Sequence, residues 1–240
     1  RAFVSGGAAL NPEIGDFFIG LGVKILQGYG QTEASPLISA NRPEKIRIET
    51  VGPAVKGVEA KLTEEGELIV KGDCVMKGYW KDEKATNETI IDGWLHTGDI
   101  ATISEDGFIT ITGRKKELIV NSGGDNIAPA RPEAALTFQE TIFQSMVIGD
   151  RRPYLVAVIV PEVEKTKSLG EKEINEIISS EVKKANKGLS SIEKIRKFII
   201  AEEPFSTENG LLTPTMKVKR HKVFEIYGEN LDDLYGSKTH

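Results

Sequence analysis

Residues 2–26 read as a strand, a helix and a second strand, and no other feature constrains the chain more. Ala2-Phe3-Val4 is a short apolar run that enters the turn Ser5-Gly6-Gly7-Ala8. Asn11-Pro12-Glu13 carries three helix-start signals: a capping side chain, a proline at the first turn and an acid at the positive helix end. Ile14, Phe17, Phe18 and Leu21 follow at helical spacing and predict one buried stripe. Gly20-Leu21-Gly22 ends the helix, Val23-Lys24-Ile25-Leu26 returns as a strand, and Gly28-Tyr29-Gly30 is expected to turn again. A strand–helix–strand order implies a parallel sheet, with ligand-binding turns at the strands' carboxyl ends.

The texture then changes twice. From Val51 to Thr112 short β-rich runs such as Leu68-Ile69-Val70 alternate with turn signals, Glu64-Glu65-Gly66-Glu67, Asp92-Gly93 and Asp106-Gly107, which predict a small antiparallel sheet or barrel. After Arg114 the chain becomes mixed. Met146–Gly149 and Leu155–Val160 read as buried strands around the turn Asp150-Arg151-Arg152-Pro153, Ile174 to Ala185 as an amphipathic helix, and Lys194 to Ile200 as a further strand. The expected class is therefore α/β plus α+β. Residues 1–50 would end a large parallel α/β domain, 51–114 would form a β-rich subdomain, and 115–240 a compact α+β domain able to move.

Composition narrows the function classes. A chain of 240 residues with 31 basic and 36 acidic side chains, net −5, lacks the net basic face that general nucleic-acid or anionic-membrane binding requires. The one cysteine, Cys74, cannot build a disulfide framework or a cysteine-rich zinc site. No apolar run reaches the roughly 18–20 residues of a membrane span, and the first residues lack the shape of a signal peptide. A cytoplasmic enzyme or binding module is the class that survives. The first residues read as the end of a strand, so the chain is expected to start mid-fold; a trimmed complete domain is the alternative.

Five segments could carry chemistry. In Gly28-Tyr29-Gly30-Gln31-Thr32-Glu33 the glycines would let backbone turn beside a ligand, Tyr29 could lie against a flat base, Thr32 could reach a phosphate, and Glu33 is a hard oxygen ligand suited to Mg²⁺. An ordinary glycine turn is the plainer alternative. In Gly93 to Asp99, a carboxylate directly after Gly98 at a strand end could accept both hydroxyls of a ribose, or be a solvated turn residue; His96 reads as packing. In Gly113-Arg114-Lys115-Lys116-Glu117, Arg114 could fork onto phosphate or ribose oxygens, whereas the two lysines also suit a charged interdomain linker open to trypsin. The flexible loop Asn121–Asn126, with Gly123 and Gly124, permits close approach. Leu212 to Arg220, with Lys217, reads by itself as a solvated basic run.

Together these segments, with Gly66–Gly72 and Val75–Trp80, stand in one order. In that order the chain resembles the adenylate-forming acyl-CoA synthetase (AMP-binding) family, and most the long-chain fatty-acid–CoA ligases, over nearly its whole length. The resemblance implies a two-step reaction in which a fatty acid and ATP give acyl-adenylate, and coenzyme A then takes the acyl group. By carry-over Tyr29 stacks on adenine, Gly6-Gly7-Ala8 lies along the base, and Gly28, Gly30 and Gln31 shape the same loop. Thr32 contacts the α-phosphate, Glu33 holds Mg²⁺, Asp99 binds the ribose and Arg114 lies close by. Lys217 is the implied catalytic lysine, Lys116 the hinge, and the Gly123-Gly124 loop meets the pantetheine arm. The implied partners are small molecules, with no nucleic acid; the resemblance leaves room for peripheral membrane contact through a lipid substrate and for a homodimer. Two departures stand out. Met216 occupies a position where many relatives carry glycine, and the family's phosphate loop is nowhere in these residues, which implies a C-terminal fragment inactive alone. An acyl-AMP ligase or peptide-synthetase adenylation domain loading a carrier protein is the nearest rival, and a self-contained non-catalytic binding module the rival from another class; the latter predicts a closed fold with no exposed apolar strand edge near Phe3 or Val23–Leu26.

Overall fold

The computed structural model of the chain describes residues 2–8 and 10–236. The chain divides into two compact units, Arg1–Lys116 and Glu117–His240. Residues 1–50 and 51–114 thus belong to one body.

Unit 1 opens with β1 (Phe3–Ser5), α1 (Pro12–Gly20) and β2 (Ile25–Tyr29), the last pairing parallel with β1. Asn11 caps α1 through its side chain, which accepts the Glu13 N–H at 2.8 Å. The apolar stripe of α1 is not buried as expected: Phe17 and Leu21 are 63% and 64% exposed, and Ile14 and Phe18 also face outward. The face turned to the chain is the small one, at Gly15, where a Cβ would fall 2.2 Å from Ile48 Cγ1. On β1, Phe3 and Val4 are exposed as well.

Gly28 and Tyr29 are strand, not turn, because β3 (Ser39–Ala40) pairs antiparallel with them. The sheet is therefore mixed rather than purely parallel. A five-stranded antiparallel sheet follows, built from β4 (Val58–Leu62), β5 (Glu67–Gly72), β6 (Ile90–Ile91, after the helix α2, Glu83–Thr89), β7 (Trp94–Ile103) and β8 (Ile109–Arg114). Gly66, at φ 79°, makes the turn between β4 and β5. Leu68, Val70, Leu95, Ala101 and Ile109 form the core with Ala34 and Ile38 from the segment after β2.

Unit 2 is a three-stranded sheet, ordered β11 (Ile142–Ile148), β12 (Leu155–Pro161), β13 (Ile195–Ile200), after the short hairpin β9 (Ile119–Val120) and β10 (Asn126–Ile127). Strand side chains alternate between faces. Leu155, Ala157 and Ile159 pack with Leu136 of α3 (Ala130–Thr137) and Ile178 and Val182 of α5 (Glu171–Ala185), which follows the short α4 (Val163–Thr166). Val156, Val158 and Val160 pack on the other side with Val223, Tyr227 and Leu231 of α6 (Arg220–Asp233). The central strand is buried on both faces, which its unbroken apolar run requires. No helix among the described residues is long and apolar enough to cross a membrane.

Candidate functional site

The parallel pairing of β1 and β2 sets the first part of the site. Ser5 pairs with Gln27, so Gly6 and Gly7 leave β1 beside Gly28; a Cβ on Gly6 would sit 3.5 Å from the Gly28 carbonyl oxygen. The actual turn comes after Tyr29. Gln31 is extended, Thr32–Ala34 makes one 3₁₀ turn, and Ser35 ends it in the left-handed region at φ 52°. Thr32 is exposed. Glu33 is fixed at both ends, its carbonyl accepting the Met76 N–H at 2.8 Å and its carboxylate the Tyr79 hydroxyl at 2.9 Å.

Asp99 lies in the middle of β7, not at a strand end as expected, because β7 continues to Ile103 in pairing with β8. Its side chain is 4% exposed. Asp99 Oδ2 accepts the Tyr29 hydroxyl at 2.5 Å, and Oδ1 faces Arg114 Nε at 3.0 Å. Burial, and next the hydrogen bond and charge of Asp99, push the Tyr29 phenol well above its ordinary value. Tyr29 is therefore a neutral donor at any ordinary pH. Each carboxylate oxygen keeps a second lone pair, so Asp99 can still receive donors that reach it.

The structure also shows a carboxylate that the sequence did not single out. Glu67 begins β5, is 4% exposed, and accepts the Gly98 N–H at 3.0 Å and Lys115 Nζ at 3.2 Å, with His96 Nδ1 at 3.3 Å. Lys115 also meets Glu65 at 2.5 Å, so it is held rather than loose in a linker, and His96 is a partner of a carboxylate rather than simple packing. Burial works to raise the Glu67 carboxyl; the bonds from His96, Gly98 and Lys115 outweigh it and hold the group below its ordinary 4.5. A depressed folded value stabilises the fold above that ordinary value, and the stabilisation is lost as pH falls through the folded one. The stability gap between wild type and Glu67→Gln, read from urea unfolding at pH 7, is therefore expected to narrow in acid; a gap that stays constant would mean that Glu67 is not charged in the fold.

Unit 2 carries the remaining candidates. Lys217 sits on a hairpin closed by the bridge between Leu212 and Val218, with Thr213 N–H donating to the Lys217 carbonyl at 2.8 Å and Thr213 Oγ1 accepting the Lys217 N–H at 3.0 Å. Met216, 68% exposed, takes φ 63°, the left-handed conformation that glycine adopts most easily. That conformation is the physical reason a glycine suits this position. The Gly123-Gly124 loop is tied down rather than slack: Asn121 Oδ1 accepts the N–H groups of Gly123 and Asp125, both at 2.9 Å, and Ser122 N–H reaches the Arg152 carbonyl at 3.0 Å. Lys116 is exposed in the single 3₁₀ turn Lys115–Glu117, where the division between the units falls.

Residues 1–80 match the family described as AMP-binding enzyme, and residues 116–239 match the AMP-binding enzyme C-terminal domain, more than half of the chain. The chain belongs to the AMP-binding enzyme family. Among curated relatives, the long-chain-fatty-acid–CoA ligase FadD15 of Mycobacterium bovis is 40% identical across 99% of the chain and 42% of its own length. Among solved structures, the adenylation domain of a carboxylate reductase from Mycobacterium chelonae superposes with a TM-score of 0.82 at 30% identity, covering 98% of this chain and 38% of that one. A carboxylic acid reductase adenylation domain from Segniliparus rugosus, in complex with AMP and a co-purified carboxylic acid, gives 0.81 at 32% identity over 98% and 39%. The chain thus spans about two fifths of the length of the proteins it matches.

For Mg²⁺, the donor set is one carboxylate, Glu33, and no cluster of three or more His, Cys, Asp or Glu suited to a metal occurs among the described residues. A single carboxylate fits an ion coordinated chiefly by water and substrate phosphates.

Proposed function

We propose that, within a protein of the length of its relatives, this chain serves the ATP-dependent activation of a long-chain fatty acid and its transfer to coenzyme A. The Tyr29–Asp99–Arg114 cluster beside the carboxyl ends of β1 and β2 carries the proposal, since it offers a ring, a carboxylate and a guanidinium to one nucleoside. In the first step a carboxylate oxygen of the acid attacks the α-phosphorus of ATP, the bond to the β-phosphate breaks, and pyrophosphate leaves. In the second the thiol sulfur of coenzyme A, giving up its proton, attacks the acyl carbon and AMP leaves.

The residues divide the work. Tyr29 stacks on the adenine, with Gly6-Gly7-Ala8 along its edge, and its hydroxyl, held by Asp99, fixes the ring plane. Asp99 accepts the ribose hydroxyls and Arg114 neutralises nearby charge. Thr32 donates to the α-phosphate, and Glu33 would hold Mg²⁺, which screens the phosphates. Lys217 offers a fixed cation where negative charge develops. Lys116 acts as the hinge between the half-reactions, after which the Gly123-Gly124 loop meets the pantetheine arm. The exposed Phe3 and Val4 on β1 run counter to the closed fold that a self-contained binding module would have.

The test is to follow each half-reaction separately. The full-length protein is expected to release pyrophosphate in a fatty-acid-dependent manner and then to form acyl-CoA, whereas the 240-residue chain alone forms none, because catalysis needs both reactants held in place. Pyrophosphate release with transfer only to a carrier protein would make the rival acceptor correct. No acid-dependent release at all would overturn the proposal.

A further inference from the structure

We infer that Glu67 is a positioning residue that sets the backbone carrying Asp99 and fastens Lys115, so that the fixed end of unit 1 is Lys115 and motion begins at Lys116. The ribose role of Asp99 and the hinge role of Lys116 rest on the function proposed above; the contacts of Glu67 do not.

The argument starts from the pairing of β5 with β7. Glu67 pairs with Ile100 and Ile69 with His96, so a single residue of β5 faces the three residues Thr97, Gly98 and Asp99. β7 is looped out there, and Gly98 takes φ 72°. An extra stretch of this kind leaves backbone groups without ladder partners, and a buried N–H without a partner is costly. Glu67 Oε1 takes the Gly98 N–H at 3.0 Å, one residue before Asp99. Thr97 Oγ1 completes the tie, donating to the Leu68 carbonyl at 2.7 Å and accepting the Asp99 N–H at 3.1 Å. The direction in which the Asp99 carboxylate points is thus fixed from below by Glu67 and Thr97, and Tyr29 and Arg114 receive it.

The other oxygen does different work. Glu67 Oε2 receives Lys115 Nζ, directly after Asp99 has received Arg114. Two consecutive basic residues at the end of β8 are therefore each held by a buried carboxylate, with side chains 6% and 4% exposed. A buried carboxylate short of partners is unfavourable, and if Lys115 swings away Glu67 Oε2 is left with His96 Nδ1 alone, at 3.3 Å, so Glu67 holds Lys115 in place. Glu65, the second partner of Lys115, is 70% exposed and screened by water, so it holds far less. Among the described residues no buried carboxylate holds Lys116, which is exposed.

Two substitutions separate the two oxygens. Glu67→Gln keeps a carbonyl oxygen for the Gly98 N–H and loses the charge that holds Lys115; Glu67→Ala loses both. In the 240-residue chain, trypsin cleavage after Lys115, followed by mass spectrometry against cleavage after Lys116, is expected to rise about tenfold in both variants. Hydrogen exchange of the Gly98 amide, read by NMR, is expected to speed up about tenfold in Glu67→Ala and to stay within about threefold of wild type in Glu67→Gln. Glu65→Gln, the exposed control, should change neither by more than about threefold. Should Glu67→Ala fail to fold, Glu67→Gln decides alone: unchanged cleavage after Lys115 overturns the inference, as does a Gly98 amide that exchanges as in wild type when Glu67 is Ala. In the full-length protein Glu67→Ala should raise the KM for ATP more than it lowers kcat. Altered cleavage and exchange with an unaltered KM for ATP would uphold the positioning role and count instead against Asp99 as the ribose ligand.

Discussion

Replacing Lys217 by alanine is expected to slow acyl-adenylate formation by the full-length protein about 10²–10³-fold, the usual effect of removing one preorganised charge or donor from a site where charge develops. The hairpin that carries Lys217 is held independently of its side chain. Thr213 binds its backbone on both sides, Leu211 and Leu212 are buried, and the following residue pair anchors the base. That anchor is Arg220 at the start of α6, whose guanidinium meets Glu133 Oε1 at 2.5 Å and also donates to the Val147 carbonyl. Burial pushes the Glu133 carboxyl up, and the Arg220 charge and the Val147 N–H oppose it. The alanine variant should therefore fold as wild type does, and its defect should be chemical. Given preformed acyl-adenylate and coenzyme A, it should still form acyl-CoA at a near-normal rate, because on the proposed hinge motion at Lys116 Lys217 has left the α-phosphate before the thiol attacks. Lys219→Ala, at the N-terminal cap of α6 with its backbone N–H donating to the Leu211 carbonyl and its own carbonyl accepting from the Lys222 and Val223 N–H groups, is the control and should change little, since alanine keeps all three. Equal loss in both half-reactions would make Lys217 structural, and a normal adenylation rate would remove it from the mechanism.

The elements that sequence reading places well are those whose signals are local. The strand β12 stands out as an unbroken apolar run after the turn Asp150–Pro153, whereas β11 is legible only from Met146, because Gln144 and Ser145 interrupt the apolar pattern of its first half. Helix α1 stands out through Asn11, Pro12 and Glu13. Helix α6 is missed, since the basic run from Lys217 to Lys222 hides a helix whose apolar residues, Val223, Tyr227 and Leu231, are four apart. A signal existed: the unbroken run Leu155–Val160 needs cover on both faces, and α3 and α5 supply only one. The stripe on α1 misleads for the opposite reason, because periodicity reports which face is apolar but not what lies against it.

Site residues show the same division. Asp99, Tyr29 and Arg114 are legible as residue types inside motifs, yet their mutual contact depends on β2, β7 and β8 converging, which no local spacing encodes. Glu67 lies inside the Gly66–Gly72 motif, yet motif reading gives it no role. It looks like the last residue of an acidic turn, and only the looped-out stretch of β7 gives it three partners.

Gly30 illustrates how a motif residue can serve its own chain before any ligand, and Gly30→Ala is expected to damage unit 1 severely. A Cβ there would lie 1.7 Å from the Pro36 carbonyl oxygen and 2.6 Å from its carbon, both backbone atoms. Neither side can yield easily. The Tyr29 carbonyl accepts the Ile38 N–H at 2.8 Å, Ile38 is fully buried, and Tyr29 is tied to Asp99. Overpacking of a tight contact costs about 1–3 kcal/mol and more when backbone must move. A loss of about 3 kcal/mol would lower the melting temperature of a unit this size by about 10 °C or more. Unit 2, with its own cores, should melt unchanged, which calorimetry of the 240-residue chain can resolve. Gly6→Ala is the matched control: its Cβ would meet the Gly28 carbonyl at 3.5 Å, an ordinary contact, and stability should hold. If Gly30→Ala instead melts like wild type while nucleotide affinity falls, the glycine is there for the ligand, as its motif alone suggests, and the packing of residues 36–38 against it is the weaker constraint.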